Sequence, residues 1–93
     1  MKSKITALAY YLPEKIVTNS EIEAKLQQNN PHLHIPENII GITTGIKSRR
    51  FCGENEYNST LASKAALILF EKYSINPKDI DLLIFASAGQ DLI

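Results

Sequence analysis

The chain has no tryptophan, one methionine and a single cysteine, Cys52, among its 93 residues. One thiol cannot close an internal disulfide, so the sequence does not read as a disulfide-stapled secreted domain. It fits a reducing, cytoplasmic compartment. An excess of either charge is also missing: ten Lys and Arg face ten Asp and Glu, for a formal net charge of zero. Nucleic-acid binders usually carry a basic surplus, which disfavours that class, and the dense basic stretch is confined to "KSRR", Lys47 to Arg50. No apolar run approaches the roughly 20 residues that a membrane-spanning helix needs. The opening "MKSKITALAYYLPEK" superficially resembles a secretory leader. Its apolar part, Ile5 to Leu12, is short, stops at Pro13 and is followed by no small-residue cleavage pattern. Internal repeats and low-complexity tracts are absent, and the length suits one small domain.

The residues that are present divide into two apolar runs and the helices between them. "ITALAYYL", Ile5 to Leu12, is nearly continuous in apolar residues, as is "LLIFASA", Leu82 to Ala88. A strand with one wet face alternates polar and apolar, so both runs predict strands covered on both faces, as in the middle of an α/β sheet. Ala7 and Ala9 share a face, which predicts close packing there. Between the runs, Asn19 or Ser20 predicts a helix start, with Ser20 and Glu23 at capping-box spacing and Ile22 and Leu26 on one face. "HLHIPENII" predicts a loop with one helical turn begun by Pro36. Gly41 and Gly45 punctuate the next stretch, and "IKSRRFC" predicts a short, exposed strand. From Asn58 onward, Leu61, Ala65, Leu69 and Tyr73 fall at four-residue steps, as do Ala62, Ala66 and Phe70, predicting a helix buried on more than one side. Pro77 sets a single helical turn before the second run.

Strand, short helix, irregular loop, long helix, strand is the order of a parallel crossover unit. A buried parallel pair needs further strands at its edges and layers on both faces, which this chain does not supply. The expectation is therefore an incomplete α/β domain.

Three ordered segments carry a family resemblance. "ITALAYYLPEKIVTNSEIE", "TTGIKSRRF" and "STLASKAALILFEKYSINPKDIDLLIFAS" resemble, in turn, the opening strand, turn and first helix, the "RTGIxxRR" loop, and the long helix and second strand of ketoacyl synthase III. That is the 3-oxoacyl-[acyl-carrier-protein] synthase III branch of the thiolase superfamily. The resemblance implies that residues 1–93 are an N-terminal fragment of a thiolase-like condensing-enzyme domain with an incomplete parallel or mixed sheet. It implies an acyltransferase of fatty acid or polyketide-type biosynthesis that joins an acyl thioester to malonyl-acyl carrier protein by Claisen condensation. Acyl-CoA and acyl carrier protein thioesters are the implied substrates, the carrier protein and a second copy of the enzyme the implied partners, and no tightly bound cofactor or metal is implied. The family's Cys-His-Asn set falls beyond Ile93, so the resemblance gives this chain no catalytic residue and implies that it is inactive alone. A non-enzymatic alternative, an interaction or scaffold module that retains this part of the fold, is separated from it by whether the reading frame continues past Ile93 into a cysteine-bearing helix.

The resemblance also sorts the individual residues. Cys52 follows a loop rather than a strand-to-helix elbow and does not match the nucleophile position. It reads as a structural thiol. Thr44 matches a position beside the adenine of CoA, whereas Thr43 replaces the family's arginine and the usual upstream tryptophan is missing. Losing both removes a stacking and cation–π clamp and implies a donor held in another way, through a carrier or a longer acyl chain. Lys47, Arg49 and Arg50 suit the phosphates of CoA or phosphopantetheine and an acidic carrier protein. The plainer reading of the trio is a solvated strand edge. His32 and His34 form an H-x-H without a third ligand at a fitting spacing and read as surface loop. Asn58 opens a glycosylation sequon, "NST", but reads better as a helix cap. Ser87, Gly89, Gln90 and Asp91 follow the second apolar run, where ligands gather in α/β sheets.

Overall fold

The computed structural model describes residues 1–89. It divides the chain into two compact units, one of Pro13–Gly53 and one of Met1–Leu12 with Glu54–Ile93. Each is built differently.

The first unit contains strand β1 (Lys15–Thr18), helix α1 (Asn19–Asn29), helix α2 (Ile39–Thr44) and strand β2 (Ser48–Phe51). The two strands pair antiparallel, with Lys15 opposite Phe51 and Val17 opposite Arg49. The short exposed strand expected in "IKSRRFC" is β2. Its partner lies in "KIVT", a stretch rich in β-branched residues that suit a pleated surface. Val17, 6% exposed, is the apolar anchor of this unit, and Asn19, 8% exposed, is the buried polar side chain beside it. Helix α1 starts two residues earlier than a Ser20 cap would require. Thr18 is the cap, its hydroxyl accepting from the Glu21 N–H at 3.3 Å. Thr18 and Glu21 thus take the spacing expected of Ser20 and Glu23, because β1 runs directly to Thr18 and Asn19 is drawn inward. At the far end, the Asn30 backbone N–H and side-chain amide both donate to the Leu26 carbonyl, at 3.0 Å each. Pro36 opens a turn, accepting from the Ile39 N–H at 3.3 Å, and α2 comes next. Gly41 is inside α2 rather than at a break. Gly45 ends the helix at φ 72°, its N–H donating to the Gly41 carbonyl.

The second unit is organised on helix α3 (Asn58–Lys72), which begins at the residue expected. Tyr57 occupies the cap position without a side-chain cap bond, so Asn58 is the first helical residue and not the cap. The helix ends in a left-handed residue, Ser74 at φ 53°, with the Ile75 N–H donating to the Phe70 carbonyl at 2.9 Å. A single 3-10 turn, Pro77–Asp79, comes after it as the proline predicts, and the Asn76 side chain caps it by accepting from the Lys78 N–H at 3.0 Å.

Three expectations are corrected here. Neither Ile5 to Leu12 nor Leu82 to Ala88 forms a strand, and the parallel or mixed sheet is replaced by the antiparallel β1–β2 pair. In the first run only Ala7, Ala9 and Tyr11 are half-buried, so one face is covered instead of two. In the second run Leu82, Leu83 and Ile84 are 75–81% exposed. Helix α3 has no buried residue, and Leu67 is 65% exposed. The two runs and the sheet differ from expectation for one physical reason. A continuous apolar run becomes a buried strand only when neighbours satisfy its backbone on both edges, and no ladder reaches either run among the described residues. Among the described residues the architecture is α/β, with three α-helices and a two-stranded antiparallel sheet.

Candidate functional site

Helix α1 turns a polar stripe toward the segment that carries the candidate residues. Asn19, Glu23 and Gln27 stand at i, i+4 and i+8, and so lie on one face. Asn19 donates to the Ile46 carbonyl at 2.6 Å. The two carboxylate oxygens of Glu23 accept from the Asn38 N–H at 2.9 Å and the Ile40 N–H at 3.1 Å. Gln27 donates to the Leu33 carbonyl at 2.6 Å and accepts from the Ile35 N–H at 3.0 Å. Helix starts leave unpaired N–H donors, and Glu23 satisfies two at the start of α2 from a neighbouring helix. The sequence predicts Ile22 and Leu26 on one face of this helix and Glu23 in a capping box with Ser20, whereas Glu23 instead accepts from Asn38 and Ile40. The second, polar periodicity was the available signal for the stripe.

These bonds hold an open concavity of about 480 Å³ lined by Thr18, Asn19, Ser20, Asn38, Gly41, Gly45 and Lys47. Gly41 permits the close approach, since a Cβ there would meet the Asn38 side-chain oxygen and lie 3.3 Å from the Asn19 amide nitrogen. Of the candidate residues, Lys47 lines this hollow and its ammonium has no hydrogen-bond partner among the described residues. Arg49 is engaged differently. Its guanidinium donates to Asn19 Oδ1 at 2.7 Å and to the Val17 carbonyl at 3.4 Å. Arg50 donates to the Pro13 carbonyl at 2.9 Å. The basic trio therefore splits into one exposed ammonium, one guanidinium that ties β1 to the start of α1, and one that holds the chain at Pro13 ahead of β1.

Thr43 and Thr44 lie in the last turn of α2. The Thr43 hydroxyl donates to the Ile39 carbonyl at 2.7 Å, and that of Thr44 to the Ile40 carbonyl at 2.5 Å. Thr44 also accepts from the Ile46 N–H at 3.1 Å, fixing the chain as it leaves the helix. Both side chains are exposed, and neither lines the concavity. Cys52 is an exposed free thiol just past β2. His32 and His34 are exposed in the loop before Pro36, and no group of three His, Cys, Asp or Glu that could hold a metal gathers among the described residues.

In the other unit, Lys64 of α3 sits between Glu56, at 3.1 Å, and the Tyr11 hydroxyl, at 3.4 Å, with its ammonium 4.9 Å from the Tyr11 ring centroid. The bond to Glu56, then that to Tyr11, raises its pKa above the usual value near 10.5. The lysine is thus held protonated and ties the first apolar run to α3, together with Tyr73, which donates to the Leu8 carbonyl at 3.3 Å. Ser87 accepts from the Gly89 N–H at 3.2 Å, whereas Gln90 and Asp91 lie outside the described residues. No helix among the described residues is long and apolar enough to cross a membrane.

Comparison with known proteins gives a consistent set of relatives. The beta-ketoacyl-[acyl-carrier-protein] synthase III of Campylobacter jejuni subsp. doylei is 35% identical over 91 residues, covering 98% of this chain and 26% of that protein. The beta-ketoacyl-[acyl-carrier-protein] synthase III 2 of Staphylococcus epidermidis is 39% identical over 89 residues, covering 96% and 25%. The protein of the same name from Bacillus cereus is 35% identical over 92 residues, covering 99% and 26%. No family model matches the chain, and no solved structure does. The chain spans about a quarter of the length of the curated relatives it matches. Along nearly its whole length, it is a homologue of beta-ketoacyl-[acyl-carrier-protein] synthase III.

Proposed function

We propose that this chain is part of an acyltransferase of the 3-oxoacyl-[acyl-carrier-protein] synthase III type, acting in the cytoplasm in fatty acid or polyketide-type biosynthesis. The observation that carries the reading is the identity of 35–39% sustained over 96–99% of the chain. In the complete enzyme an acyl group passes from a thioester to an active-site cysteine. Malonyl-acyl carrier protein then loses carbon dioxide, and the carbanion so formed attacks that acyl carbonyl. The new carbon–carbon bond forms as the cysteine leaves as thiolate. The groups for these steps are not assigned to any residue of this chain, Cys52 included. Its contribution is to the donor side, where Lys47 and the turn after Thr44 meet a phosphopantetheine thioester. Thr43, standing where the resembled pattern has arginine, and the missing upstream tryptophan take from this chain the two side chains that the resemblance sets around an adenine. That favours a donor recognised without its nucleotide.

A chimera tests this directly. Residues 1–93 replace the matching quarter of the Campylobacter jejuni relative, and condensation of acetyl-CoA or acetyl-acyl carrier protein with malonyl-acyl carrier protein is measured. The expected result is retained condensation with a reduced preference for the CoA donor, while the chain alone forms no covalent acyl adduct by intact-mass spectrometry. A folded chimera without condensation overturns the enzymatic reading in favour of a non-catalytic interaction module.

A further inference from the structure

The segment from Leu33 to Lys47 contains no buried side chain, and among its apolar residues only Ile35, Ile39 and Ile40 with Gly41 are half-buried, so apolar packing alone is a weak hold on it. The polar stripe of α1 strengthens that hold, bonding the main chain at Leu33, Ile35, Asn38, Ile40 and Ile46. The same stripe decides which cations remain available. Asn19 accepts from Arg49 with the oxygen of the amide whose nitrogen holds Ile46, so one buried side chain fixes both the loop before Lys47 and the guanidinium after it. Lys47 lies between these two attachment points and lines the hollow beside Gly41 and Gly45.

We propose that Asn19, Glu23 and Gln27 are positioning residues for the donor site, committing Arg49 to the fold and leaving Lys47 as the cation that meets the phosphate of a phosphopantetheine thioester. The inference rests on the synthase reading of this segment. Glu23 is its sharpest point. A charge-assisted bond to a backbone amide is stronger than a neutral one, and here two such bonds converge on the start of a six-residue helix too short to persist by itself.

The test uses the isotopically labelled chain with acetyl-phosphopantetheine as probe and two readouts, amide hydrogen exchange and chemical-shift titration. Glu23→Leu is expected to speed exchange at Asn38 and Ile40 about tenfold, and to weaken probe binding by about the same factor, with the α1 amides unchanged. Glu23→Gln, which keeps one acceptor oxygen, restores part of both effects. Lys47→Gln loses probe binding with exchange unaltered, and Lys25→Gln, an exposed lysine on the same helix, changes neither. Unaltered exchange at Asn38 and Ile40 in Glu23→Leu, or equal probe affinity in Glu23→Leu and the unsubstituted chain, overturns the positioning role. An unsubstituted chain that gives no probe shifts overturns the donor-site assignment itself, while the exchange data still decide whether the stripe holds the segment. Should Glu23→Leu not fold, the graded response of Glu23→Gln against Lys25→Gln carries the same decision.

Discussion

Asn19 takes a place in the interior that an apolar side chain usually fills. It is 8% exposed, and both ends of its amide are engaged. Asn19→Ala would strand the Ile46 carbonyl and release Arg49, and leaving buried polar groups unpaired costs about 2 kcal/mol. A lower urea midpoint is the expected outcome, and a midpoint within error of the unsubstituted chain would contradict it. Lys64 gives a prediction in pH. Its folded pKa is raised by Glu56 and Tyr11, so its contribution is fully present below the ordinary lysine value of 10.5 and is lost as pH rises through the higher folded value. Thermal melts of Lys64→Met and the unsubstituted chain should therefore differ by a constant amount from about pH 6 to pH 9 and converge only in strong alkali. Convergence already near neutral pH would refute that assignment. At this scale the sequence exposed Thr44, Lys47 and Arg49 as candidates, but it held no means of separating a free ammonium from a guanidinium bound to main-chain carbonyls. That separation depends on which strand β2 pairs with.

The elements differ in how far local chemistry decides them. Helix α3 was legible because its four-residue apolar steps run unbroken from Leu61 to Tyr73, and the 3-10 turn because proline presets its first dihedral. The cap of α1 lies one residue before Asn19 and two before Ser20, the two positions the sequence predicts, because "TNSEIE" offers two capping boxes and only the pairing of β1 selects Thr18. Two left-handed residues end helices, and they predict opposite outcomes. Gly45 at φ 72° has open space around it, so Gly45→Ala should cost about 1 kcal/mol from backbone strain alone. Ser74 at φ 53° already bears such strain, so Ser74→Gly should stabilise by up to about 1 kcal/mol. Melting temperatures that move in the same direction for both substitutions would show that strain at these positions is not what governs them.

For the molecule as a whole, the notable quantity is exposed apolar surface. Leu82, Leu83 and Ile84 are each at least 75% exposed, as are Ile5 and Tyr10. Contiguous apolar patches on an isolated chain drive association. Light scattering should show mass rising with concentration, and Leu82→Lys with Ile84→Lys should suppress the rise. A monomer at all concentrations without those substitutions would contradict the expectation. Several properties follow from the sequence alone: the kinship with beta-ketoacyl-[acyl-carrier-protein] synthase III, the span of α3, the exposed strand in "KSRR" and the exclusion of Cys52 from a strand-to-helix elbow. They follow because periodicity, proline and ordered motifs are local, and local patterns survive without their surroundings. The tertiary structure alone decided that the two apolar runs are not strands, that the sheet is antiparallel and that Lys47 rather than Arg49 faces the hollow. Each of those depends on which distant backbone groups find partners, and a run such as "LLIFASA" spells a buried strand only where neighbouring chain completes its hydrogen bonds.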